Sequence, residues 1–168
     1  MSTSNVVPLY PPDVPARPTV VKPHLRLDGY TPEKRAEIEW AYPTDIEPGH
    51  YPFGPYVMVQ FRTVRLRSDG GIELPSAARD YERWNTYAAV VWALGPMAYR
   101  NRDTLTPWPE GIWCGPGDFV IAPKHGGFRW EVKVPGRHER ETAMFAVVRD
   151  SEIWMGCYGD PLEQREYI

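Results

Sequence analysis

The chain has 168 residues, of which 42% are hydrophobic and 13% aromatic, with a formal net charge of -3. That length suits one domain with an appendage and excludes a (β/α)₈ barrel. A balance of 19 Lys+Arg against 22 Asp+Glu argues against a dedicated nucleic-acid binder. No apolar stretch approaches the roughly 18 residues of a membrane span. The start, MSTSNVVPLYPP, lacks the basic-then-apolar pattern of a secretory signal. Two cysteines, Cys114 and Cys157, with no CxxC spacing, fit a reduced compartment rather than a disulfide scaffold.

Eleven of the 19 prolines fall within residues 1–55, so this segment is excluded from the middle of a sheet. It reads as a proline-rich extended arm, with residues 1–28 lacking a core of their own. Such a stretch is either a free tail or an arm lying on a partner. One short helix interrupts it near 32–41. Thr31 suits the N-cap, Pro32 the first helical position, and Glu33 the positive end of the dipole. Ile38 and Tyr42 share a face of that helix, and Trp40 lies off it.

Strand formers begin at Tyr56. Residues 56–62, 86–94, 118–122, 128–134, 143–148 and 153–157 read as six short strands separated by Gly/Pro turns. The fourth alternates apolar and polar, so one of its faces is wet. The fold class expected is all-β, a small antiparallel barrel over 56–158. A loop at 66–80 and an insert at 97–114 interrupt it, and a tail covers 159–168. Because 1–55 supplies few apolar core positions, a chain begun near Pro52 is expected to fold alone.

Catalytic and metal-binding signals are few. His24, His50, His125 and His138 form no HxH, HxxxH or HExxH pattern, so no metal and no cofactor is expected. Cys114 or Cys157 beside His125 is the one nucleophile–base pair worth checking. Asp69-Gly70-Gly71 precedes a short apolar motif rather than a helix start, so no phosphate cradle is read there. Arg62, Arg65 and Arg67 alternate as a basic stripe, expected to be offset by acidic neighbours.

One ordered set of features is more specific. The strand Val57–Phe61 leads into Asp69-Gly70-Gly71-Ile72-Glu73-Leu74-Pro75. A second strand ends at Leu94-Gly95-Pro96, followed by Gly117-Asp118-Phe119-Val120-Ile121 and by Val148-Arg149-Asp150-Ser151-Glu152-Ile153. Over about 56–158 this resembles the GroES-like co-chaperonin family. The resemblance implies a GroES-like barrel that forms rings and a mobile loop whose apolar triplet, here Ile72, Glu73 and Leu74 between Gly70, Gly71 and Pro75, docks on a chaperonin. The charged Glu73 departs from the family pattern, as do the long arm and the Trp-rich insert.

Two functions follow as expectations. The first is a non-enzymatic structural or assembly protein of a bacteriophage-like particle, whether capsid, decoration or tail-associated, which binds copies of itself and other particle proteins through the arm. The second is a working co-chaperonin, of the kind a virus could encode, that caps a chaperonin through Gly70–Pro75. Neither involves nucleic acid or a membrane, and the location is a virion or the host cytoplasm. Trp108, Ile112 and Trp113 of the insert are expected as a partner surface, and Tyr56-Val57 and Ile153-Trp154 as contacts between copies.

Overall fold

The computed structural model describes residues 20–68, 70–123 and 126–164. The expected first part of the arm, 1–19, lies outside them. Two short helices, α1 (Pro32–Ala41) and α2 (Ser76–Trp84), accompany six strands: β1 (Tyr56–Phe61), β2 (Ala88–Leu94), β3 (Phe119–Ile121), β4 (Phe128–Lys133), β5 (Thr142–Arg149) and β6 (Met155–Gly156). All pairings are antiparallel, in the order β4-β5-β1-β2-β3-β6. Each of the six expected strands is present.

The sheet is open, and this corrects the expected closed barrel: among the described residues β4 and β6 do not pair with each other. The physical reason lies in the central strands, which are buried on both faces. Side chains alternate across a strand. Met58, Val90, Trp92 and Phe145 therefore point to one face, and Val57, Val59, Val91, Ala146 and Val148 to the other. Each face is covered by a different segment. A sheet shielded on both sides does not have to curl on itself to keep its apolar residues dry.

The cover on the first face is the supposed arm. Leu25, Leu27, Ile38, Ala41, Tyr42 and Ile46 are buried in the same cluster as Trp92 and Phe145. The expectation that 1–55 adds few core positions is thus corrected for residues 25–46. Prolines keep this stretch from joining the sheet but leave it free to lie across it. α1 begins as its sequence dictates, with the Thr31 side chain accepting from the Lys34 N–H at 3.4 Å. The Tyr42 hydroxyl donates to the Ala88 carbonyl at 3.2 Å. Close backbone contact locks the segment down: the Arg26 N–H donates to the Gly117 carbonyl at 3.1 Å. Gly117 sits at φ +93°, where a Cβ would lie 2.0 Å from the His24 carbonyl oxygen. Only glycine meets both demands.

The second face is covered by the 97–114 insert, through Ala98, Tyr99 and Cys114, and by Ile153. Tyr99 adopts φ +58° and its N–H donates to the buried Asp150 carboxylate at 2.8 Å. Its hydroxyl lies 2.9 Å from the Cys114 Sγ.

Burial has a consequence for alkaline stability. It pushes the phenols of Tyr42 and Tyr99 above their ordinary 10.0, and the Cys114 thiol above its ordinary 9.0. Each group holds its proton in the folded chain at a pH where the unfolded chain releases it. The native state binds more protons, so stability is complete below about pH 9 and declines as pH rises further. Melting temperature should fall steadily from about pH 9 to about pH 11, and Tyr42→Phe should flatten that slope. A Tyr42→Phe profile parallel to that of the unmodified chain would contradict the assignment.

Candidate functional site

The Gly70–Pro75 motif is the end of a closed hairpin. The Ser68 N–H donates to the Ile72 carbonyl at 2.8 Å, the Gly71 N–H to the Ser68 carbonyl at 2.9 Å, and the Leu74 N–H to the Leu66 carbonyl at 2.9 Å. Arg67 bridges Glu73 across it. The three residues of the triplet meet different surroundings. Ile72 is 73% exposed. Leu74 is half-buried and borders a cavity of about 290 Å³ beside Trp40 and Arg62. Glu73 faces water and pairs with Arg140 at 3.1 Å, so its charge stays out of any apolar groove. The expected loop 66–80 ends early, because α2 starts at Ser76 directly after Pro75.

The insert divides likewise. Trp108 is half-buried, edge-on to Tyr99 at 5.4 Å and to Trp113 at 4.9 Å, so it props the insert more than it offers a surface. Ile112 and Trp113 are exposed. Trp154, Met155 and Tyr158, the last 99% exposed, form a further exposed apolar group on and beside β6, and Trp113 lines a cleft together with Tyr158. Of these exposed residues, sequence reasoning named Ile112, Trp113 and Trp154 but missed Met155 and Tyr158. The available signal was a short apolar run ending in Gly-Cys-Tyr-Gly, too brief to declare which face is wet. Of the other expected contacts between copies, Val57 and Ile153 are buried and Tyr56 is exposed.

That cleft has a volume of about 310 Å³. It is lined by Arg26, Asp28 and Tyr30 from the N-terminal cover and by Trp113, Cys114, Phe119, Val120, Gly156 and Tyr158. The Tyr30 hydroxyl donates to the Gly159 carbonyl at 2.9 Å, which fixes that ring in place. The Tyr158 ring packs over Gly156, close enough that a Cβ there would meet it at 3.2 Å. Arg26 is committed to Asp118 at 2.9 Å. Asp28 is exposed and makes no ion pair among the described residues.

Two of the three arginines of the stripe lie beside acidic neighbours. Arg62 is nearly buried and donates to Glu82 at 2.5 Å and to the Leu162 carbonyl at 2.8 Å. Arg65 lies 3.9 Å from Glu37 and 5.0 Å above the Trp40 ring. Cys114 and Cys157 are both free, and burial pushes both thiols up, away from the thiolate a nucleophile needs. His125 lies outside the described residues, so the Cys–His pairing does too. Among the described residues no three His, Cys, Asp or Glu are placed to hold a metal ion. No helix among them is long and apolar enough to cross a membrane.

The chain matches no protein-family model, and no characterised protein is similar enough in sequence to count as a match.

Proposed function

We propose that the chain is a non-enzymatic structural or assembly protein, a component of a bacteriophage-like particle. On this reading its sheet is an opened, diverged relative of the GroES-like barrel, and it binds copies of itself and neighbouring particle proteins. One observation carries the reading. Trp154, Met155 and Tyr158 are exposed on and beside the two-residue strand β6, whose outer edge is unpaired among the described residues, and Trp113 is exposed where it lines a cleft with Tyr158. Exposed aromatics beside a free strand edge are costly to leave in water and are the usual anchors of protein contacts. The test is sedimentation of the full chain at tens of micromolar. Trp154→Ser with Met155→Ser should weaken self-association by tenfold or more, on the order of a hot-spot loss, while the circular dichroism stays unchanged. An unmodified chain that sediments as a monomer there and fails to enter particles would overturn the reading.

The exposed Ile72 supports a second reading, a co-chaperonin docking through Gly70–Pro75. There Ile72→Ala with Leu74→Ala would remove two anchors worth about 2–4 kcal/mol each. On the first reading capture by a chaperonin stays at background for both chains. Strong capture of the unmodified chain, lost in the double variant, would replace the first reading by the second.

A further inference from the structure

We propose that the cleft between Tyr30 and Tyr158 is the receptor for the proline-rich stretch Pro8–Pro18 of a second copy of this chain. This inference rests on the assembly reading and names its contact. The cleft combines tyrosine and tryptophan side chains with an acid that makes no ion pair among the described residues, Asp28. Aromatic-lined grooves accept polyproline II segments, which are already extended and so lose little entropy on docking. The stretch 8–18 reads Pro-Leu-Tyr-Pro-Pro-Asp-Val-Pro-Ala-Arg-Pro. A polyproline II helix has three residues per turn. Pro12, Pro15 and Pro18, spaced by three, would then share one edge, with Arg17 beside it to meet Asp28.

The chain's own geometry favours a neighbour as the donor. From Val20 to Leu27 the backbone runs without a turn or bend, and Val20 packs against the core. Pro23, Leu25 and Leu27 are buried while His24, Arg26 and Asp28 are exposed, the alternation of an extended segment. The eight steps from Val20 to Asp28 span about 25 Å in such a conformation. Arg17, three residues before Val20, commands roughly 17 Å with its side chain, and about 23 Å once the Asp28 side chain and an ion-pair distance are added, even if the chain reverses sharply at Val20. A contact with its own Asp28 is therefore disfavoured, and another copy's Asp28 is the better partner.

A charge exchange in the full chain tests this, because Asp28 is exposed and Arg17 lies outside the described residues. Arg17→Glu and Asp28→Arg, each alone, place like charges together and should weaken self-association by on the order of tenfold at low salt. An equimolar mixture of the two variants should regain it, since each cleft then finds an oppositely charged stretch on the other variant. Contact within one chain predicts no recovery on mixing. Singles that associate like the unmodified chain, or a mixture that does not recover, would overturn the inference while leaving the assembly reading standing. An unmodified chain that never associates would overturn both.

Discussion

A chain begun at Pro52 is expected not to fold. It would lose Leu25, Leu27, Ile38, Tyr42 and Ile46, all buried against Trp92 and Phe145. At about 1.5–3 kcal/mol for each large apolar side chain, the loss is on the order of 10 kcal/mol. A domain of this size has only about 5–15 kcal/mol of stability in total. The truncated chain would also expose the sheet face that carries Trp92 and Phe145, which share a buried cluster with Tyr42. A chain begun at Val20 should keep the β-rich circular dichroism and a cooperative melt. Cooperative melting of the shorter chain would show that 25–46 merely rests on a finished core.

The second large effect centres on Gln60, a fully buried polar residue in the middle of β1. Its Oε1 accepts from the Trp92 indole at 2.6 Å, and its Nε2 donates to the Pro43 carbonyl at 3.1 Å. One amide thus satisfies a core tryptophan and ties the N-terminal cover to the sheet. Gln60→Leu fits the space but strands an indole N–H and a carbonyl in the interior. Each orphan costs about 1–3 kcal/mol, so the expected loss is about 2–6 kcal/mol. Urea midpoints measure it. Combining Gln60→Leu with Trp92→Phe, which removes the stranded donor, should cost clearly less than the two single changes added together. Strict additivity would mean that the amide and the indole do not depend on each other.

The strands were legible in the sequence because β-branched and aromatic runs between Gly/Pro turns have few alternatives. α1 was legible through Thr31 and Pro32. α2 was not. Ser76-Ala77-Ala78-Arg79-Asp80-Tyr81-Glu82 is a run dominated by helix-compatible residues after a proline, but the likeness of Gly70–Pro75 to a mobile loop drew the boundary past it. The cover over residues 25–46 was obscured by its prolines. They exclude ladder pairing, and that exclusion was extended to burial, which proline does not forbid. The readable sign was the period-two spacing of Pro23, Leu25 and Leu27. Closure of the sheet depends on which segments shield its faces, a long-range outcome that no local pattern encodes. At the site, Ile72 and Trp113 were legible as exposed apolar residues. The cleft was not, since its walls come from three segments far apart in the chain: 26–30, 113–120 and 156–158.

The strand order carries a consequence for synthesis of the chain on the ribosome. β1 is flanked by β2 on one side and β5 on the other. Its first neighbour follows soon after it, but its second is translated only when residues 142–149 are made. Through all the intervening elongation β1, one of the most apolar strands, has one bare edge and no register on that side. The nascent polypeptide therefore holds a sticky template until nearly the whole described domain has emerged, and closing such distant pairs is slow. Slowing translation between β2 and β5 should increase co-translational aggregation. By contrast, codons that hasten passage through 95–141 should raise the yield of native protein from an unchanged amino-acid sequence.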